Sequence, residues 1–290
     1  MDTGCPWSKD ESALIISIDP PKGTNLQSFC EYAEPLKGRV DAILVNDSQD
    51  ALMRMTPYTA CLSLLERGLH PILGVNNRDR NRLAVQGDLL GAWASGIKDI
   101  VIDEGKDPSY GDHPLTKPIY DLDQAGMSAM MSQLNMGKDL GGQEIDGKTG
   151  FNFAAWVQWP DDDRQLDAEF NKMERLANTG VQAFFISPQF DVKKVKGLIE
   201  RARPFNKPLI VGTLLLKSVG MARYLNEVPG VSHVPEETIK KMVKAPVRSK
   251  AGIEIAAQFI RDMFSVADGA VLIPLGWEKK IPAVLEEIGR

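Results

Sequence analysis

Eight short apolar runs punctuate this chain, and their spacing restricts its fold more than any other feature. They occupy residues 13–20, 40–47, 70–76, 99–104, 151–157, 181–188, 208–215 and 268–275. Runs such as Ala13-Leu14-Ile15-Ile16-Ser17-Ile18 and Asp99-Ile100-Val101-Ile102-Asp103 are continuously apolar instead of alternating. That is the pattern of parallel strands buried on both faces. Helix-like stretches separate the runs, and most intervals are close to the roughly 30 residues of a βαβ unit. Eight such units predict an α/β fold, a (β/α)8 TIM barrel. A chain of 290 residues suits one such domain of about 250 residues plus an insertion. In that architecture chemistry is built where the strands end, at the C-terminal face.

Composition narrows the partners. Hydrophobic residues at 43% and charged residues at 25% are ordinary for a globular chain. The net charge of −5 lacks the basic footprint of a nucleic-acid binder. No apolar run approaches the roughly 18 residues that span a bilayer. The opening Met1-Asp2-Thr3-Gly4-Cys5-Pro6-Trp7 lacks the basic and apolar segments of a secretory signal. Cys5, Cys30 and Cys61 lie far apart with no CxxC pair, which suits neither a disulfide framework nor a zinc site. The expectation is a cytoplasmic protein with no nucleic-acid, membrane or metal partner.

Two connections are long. The segment 105–150, between the fourth and fifth strands, is expected to form an insertion. It holds a helix over 121–138, capped by Asp121 or Asp123. Met127, Met130, Met131 and Met136 lie on that helix, either as soft packing residues or as a lid over a flat ligand. A hairpin-like turn is expected over 141–148. Before the eighth strand, Val234-Pro235-Glu236-Glu237 reads as a helix start, and 248–261 as a further helix.

The strand ends carry the candidate site. In order they offer Ser17 and Asp19, Asn46 and Asp47, Asn76 and Asn77, Asp103 and Glu104, then Trp156, Gln158 and Trp159. Ser187 and Gln189, Lys217 and Ser218, and Pro274 complete the rim. Amides, carboxylates and indoles in this arrangement suit a planar, hydrogen-bonding heterocycle. His70, His113 and His233 are scattered and read as structural. Neither a GxGxxG nor a GxxxxGK[ST] fingerprint is present.

Several blocks resemble one known family. They are Val40-Asp41-Ala42-Ile43-Leu44-Val45-Asn46-Asp47, Asn77-Arg78-Asp79-Arg80-Asn81 and Gln86-Gly87-Asp88-Leu89-Leu90-Gly91-Ala92. Gly111-Asp112-His113-Pro114 with Tyr120-Asp121-Leu122-Asp123, Val234-Pro235-Glu236 and Gly252-Ile253-Glu254 follow in order. Together they resemble the methylenetetrahydrofolate reductase family, above all the branch with reductase domains fused to homocysteine methyltransferases. The resemblance implies a (β/α)8 barrel that binds folate, with FAD at the strand ends as hydride carrier.

The departures fall at the site. Where the family places its acidic Glu on the first strand, this chain has Ser17. Where the family has His-Leu-Thr-Cys, it reads Gly74-Val75-Asn76-Asn77. Lys106 takes the place of an Asp, Ser187-Pro188-Gln189 replaces Thr-Gln, and Leu176 replaces a basic residue. A Ser hydroxyl cannot act as an acid near neutral pH. These changes favour a flavin-free enzyme that takes tetrahydrofolate as substrate and exchanges a methyl group with another carrier such as a corrinoid protein. On this reading Asp19, Asp103, Glu104 and Asp107 manage protons and pterin contacts. Asn46, Asn76, Ser187 and Gln189 read the ligand's edges, and Ser17, Trp156 and Gln158 complete its surroundings. The alternatives are an FAD-dependent reductase using Asp19 as acid, and a non-catalytic barrel subunit. Family resemblance also suggests self-association.

Overall fold

A computed structural model of the protein describes residues 4–8, 11–228 and 232–290. Its eight strands are β1 (Ala13–Ile18), β2 (Ala42–Val45), β3 (Pro71–Asn76), β4 (Asp99–Asp103), β5 (Asn152–Val157), β6 (Ala183–Ile186), β7 (Leu209–Leu214) and β8 (Gly269–Ile273). They pair in chain order, every neighbour parallel, and close into a barrel. All eight lie within the apolar runs of the sequence. Closure joins β1 to β8 in the register Ala13↔Gly269. A Cβ on Gly269 would stand 2.5 Å from the Ala13 carbonyl oxygen, so glycine is what permits this approach.

The continuous apolar runs follow from burial on two sides. Ile15, Leu44, Ile72, Val101, Ala154, Phe185, Ile210 and Val271 fill the barrel interior. Their neighbours Leu14, Ile16, Ile43, Leu73, Ile100, Phe184, Val211 and Leu272 pack under the helices. Trp7 is 3% exposed, belongs to the interior cluster and meets Phe185 edge-on at 5.8 Å. On β4, Asp99 accepts hydrogen bonds from Asn152 Nδ2 at 2.9 Å and contacts His70 Nε2 at 2.5 Å.

Outside the barrel run α1 (Gln27–Ala33), α2 (Pro57–Glu66), α3 (Arg82–Ala94), α4 (Gln124–Asn135), α5 (Asp163–Asn178), α6 (Val192–Ala202), α7 (Val219–Leu225), α8 (Glu236–Lys244), α9 (Arg248–Phe264) and α10 (Ile281–Ile288). Side chains of Asn81, Asp123, Asp162, Asp191 and Ser218 start five of these by accepting backbone N–H groups. Met127, Met130 and Met131 of α4 are buried in the layer between helices and barrel, whereas Met136 is exposed. The helix therefore serves as the barrel's fourth outer helix, and its methionines are packing residues. The extra length of this connection lies around it, in the loop before Asp123 and in a turn closed by an antiparallel bridge between Lys138 and Glu144. Between β7 and β8 the chain inserts α7 and α8 before α9. No helix among the described residues is long and apolar enough to cross a membrane.

Candidate functional site at the barrel mouth

The first cluster follows from the pairing of β1 with β2, whose register ends at Ile18↔Val45 and so sets Asp19 beside Asn46. Ser17, almost fully buried, donates to Asn46 Oδ1 at 3.1 Å. Asn46 Nδ2 donates to Asp19 Oδ1 at 2.8 Å. The other Asp19 oxygen lies 3.7 Å from Arg54 Nη2. Hydroxyl, amide, carboxylate and guanidinium thus form one chain, and Asp19 is its exposed member.

On the far side of β3, Asp103 ends β4 opposite Asn76 in the register. Its Oδ1 accepts the Glu104 N–H at 2.8 Å, and its Oδ2 is buried without a partner. Burial pushes its carboxyl up to about 6, with the charges of Glu104 and Asp50 adding to the rise and backbone N–H groups opposing it. A carboxylic acid that titrates near neutral pH can give and take a proton under ordinary conditions.

Other strand-end polar groups are engaged in shaping loops. Asn76 is fully buried; its Nδ2 donates to the Asp47 carbonyl at 2.7 Å and to Asp79 Oδ2 at 3.2 Å. Its Oδ1 accepts the N–H groups of Arg78 and Asp79, both at 3.0 Å. Ser187 Oγ accepts the Trp159 N–H at 2.9 Å, and Gln189 Nε2 donates to the Trp159 carbonyl at 3.0 Å, leaving its Oε1 buried and unpartnered. Trp156 is 4% exposed inside the barrel, edge-on to Phe185 at 5.5 Å. Gln158 is exposed, with its backbone N–H on Glu169. Glu104, also exposed, is 3.6 Å from Lys172. Asp107 stands apart in the loop after β4, where it caps a short helical turn through the Ser109 N–H; that bond holds its carboxyl below the usual range.

Two arginines escaped the reading of strand ends because both lie in loops. Arg78 is 3% exposed and ties three loops together. Its Nε and Nη2 grip Asp79 at 2.7 and 2.6 Å. Its Nη1 donates to the Lys106 carbonyl at 2.7 Å and its Nη2 to the Ser48 carbonyl at 3.1 Å. The alternation Arg78-Asp79-Arg80 was the available signal. Arg54 lies in Ala51-Leu52-Met53-Arg54-Met55, which also resembles the family, but no strand end marked it. At Gly74 on β3 the backbone is too crowded for any side chain: a Cβ there would lie 2.7 Å from the Val45 carbonyl oxygen.

The loops after β2 and β4 are bolted together over the mouth. Lys106 N donates to the Gln49 carbonyl, Met53 N to Asp112, and Gly111 packs directly on Ala51. They bound a cavity of about 280 Å³. A second cavity, of about 300 Å³, opens on the helix side of β3, where Tyr58 of α2 and Asp88 of α3 face it. Among the described residues no group of three or more His, Cys, Asp or Glu side chains is arranged to hold a metal ion.

No family profile and no curated protein matches this chain. Solved structures do. The spore cortex-lytic enzyme SleL of Bacillus cereus is 12% identical, with 96% of this chain and 74% of that one aligned at a TM-score of 0.50. A protein from Aquifex aeolicus VF5 is also 12% identical, over 96% of this chain and 92% of that one, at a TM-score of 0.52. The likeness is one of fold.

Proposed function

We propose that the protein is a tetrahydrofolate-binding one-carbon enzyme that moves a methyl group between N5 of methyltetrahydrofolate and a second carrier, without flavin. The observation that carries this reading is Asp103, a mouth carboxyl with one buried, unpartnered oxygen and a pKa raised to about 6. When the carrier's nucleophile attacks the methyl carbon, the C–N5 bond breaks and its electron pair stays on N5. A proton delivered from Asp103 neutralises that nitrogen, and the reverse transfer returns the proton to the carboxylate. Asp19, positioned by Asn46 and Ser17, supplies a second carboxylate for the pterin's N–H edge. A corrinoid protein is the carrier that the chemistry suits best, since its reduced centre is a strong methyl acceptor.

The residues present argue against FAD. The family resemblance aligns its flavin-side histidine with Gly74, where the Val45 carbonyl leaves no room for a side chain. Asn76 and Arg78, next along the loop, are already committed to protein partners.

The test is calorimetric titration of the purified protein with tetrahydrofolate and methyltetrahydrofolate, beside an absorbance spectrum with and without added FAD. Folate binding by a colourless protein that ignores FAD is the expected result. A flavin spectrum bleached by reduced nicotinamide and restored by methylenetetrahydrofolate would make it a reductase. Binding of neither would overturn the folate reading and favour a non-catalytic barrel.

A further inference from the structure

The cavity of about 280 Å³ between the loops after β2 and β4 has an unusual lining. One wall is apolar, made by Leu52, Met53 and Pro108. The charged groups on the rest of it are unequally satisfied. Arg78 is consumed by Asp79 and two carbonyls. Asp112 is ion-paired with Lys22 at 2.7 Å, hydrogen-bonds His113 at 2.9 Å, and accepts the Met53 N–H besides. Arg54 keeps donor capacity: its side chain is partly exposed, its Nη groups donate no hydrogen bond among the described residues, and the Asp19 carboxylate is 3.7 Å from Nη2, beyond hydrogen-bond distance. A guanidinium whose Nη groups are unspent can give an entering anion charge-assisted hydrogen bonds.

The backbone around the cavity is strained in the same place. Ser48, Ala51 and Tyr120 have φ of 47°, 57° and 44°, in the left-handed region that favours glycine. Ser48 and Ala51 line the cavity, and Tyr120 is held by its N–H to the Arg78 carbonyl. Such strain persists where surrounding structure over-determines a shape, and it gathers at ligand clamps. The volume lies just under the roughly 300–1,000 Å³ of sites that enclose a whole small molecule, so the cavity is sized for part of one.

From apolar wall, open arginine and held shape together, we infer that this cavity binds a carboxylate carried on an apolar stem, with Arg54 as the residue that recognises the anion. Because Arg54 is also the neighbour of Asp19, an occupant would draw its charge away from Asp19 and couple the cavity to the mouth. That the stem is the benzoylglutamate arm of tetrahydrofolate rests on the function proposed above; the preference for an apolar carboxylate does not.

The test titrates wild type, Arg54→Gln and Arg54→Lys with N-benzoylglutamate, the neutral benzamide, and phenyl phosphate by calorimetry. Thermal melts verify that each variant is folded. N-benzoylglutamate should bind wild type, lose about ten-fold or more of its affinity in Arg54→Gln, and recover in part in Arg54→Lys, because a lysine keeps the charge but not the fork. Benzamide should bind none of them. Equal affinity in wild type and Arg54→Gln, or no binding to wild type, would overturn the inference. Tighter binding of phenyl phosphate would make this a phosphate site and overturn it likewise. If Arg54→Gln fails to fold, the contrast between N-benzoylglutamate and benzamide on wild type, with Arg54→Lys, decides. Tetrahydrofolate and tetrahydropterin, which lacks the arm, then separate the two claims. Arg54→Gln should weaken the first more than the second, because only the first places a carboxylate in the cavity, while failure of both to bind wild type would count against the folate reading alone.

Discussion

At the scale of single residues, Asp103 ties stability and chemistry together with opposite signs. Its carboxyl stands near 3.8 in the unfolded chain and near 6 in the folded one. The folded state therefore holds the proton more tightly, and the resulting stabilisation is complete below pH 4 and lost as pH rises to about 6. Asp103→Asn removes that loss. It should match wild type near pH 4 in urea titrations and exceed it at pH 7 by about 1–3 kcal/mol. In the same variant methyl transfer should fall sharply, and the decline of wild-type activity as pH rises through about 6 should disappear. A variant less stable than wild type at pH 7 would show that the buried oxygen is already well served. The residue scale is also where sequence reading is weakest. Asn76, Ser187 and Gln189 occupy strand ends as expected, yet Asn76 and Ser187 spend their bonds on neighbouring loops, and Gln189 its amide N–H, with its Oε1 left unpartnered. An amide that faces a ligand and one that braces a loop look the same in sequence, because both answer the same need of unpaired polar groups where a strand stops.

Elements were more legible, for a physical reason. A strand covered on both faces must be apolar at every position, which leaves a mark no loop imitates. Helix α4 was legible in place but not in its bounds: of the two cap candidates Asp123 serves, through the Gly126 N–H, while Asp121 binds Arg82, so the helix runs Gln124–Asn135 and not 121–138. What sequence leaves open is how loops meet, since those contacts join distant segments. Arg78 is the example: from the loop after β3 it holds the loops after β2 and β4 at once. Arg78→Gln should release both and strip Asp79 of its partner, costing about 2–4 kcal/mol. Hydrogen exchange should report the change first at the Met53 and Lys106 amides, whose acceptors Asp112 and Gln49 sit in the opposing loop. If those amides exchange at wild-type rates in Arg78→Gln, the loops hold without their hub.

For the whole molecule, the interior is a column of side chains ending in Trp7, which comes from ahead of the first strand. Trp7→Ala would leave a large void against Phe185 and should cost about 3–5 kcal/mol, read as a lower urea midpoint with an unchanged slope. A loss under 1 kcal/mol would mean the barrel collapses onto the space.

The pairing of Ala13 with Gly269 has a further consequence, for synthesis. Strands β1 to β7 can join their neighbours as they leave the ribosome, but β1 waits for β8 before its second edge is covered. Until then the nascent sheet is an open ribbon with two bare edges, each a template for pairing with another chain. The period of greatest exposure to aggregation thus follows the emergence of β7, and is ended by the arrival of a five-residue strand.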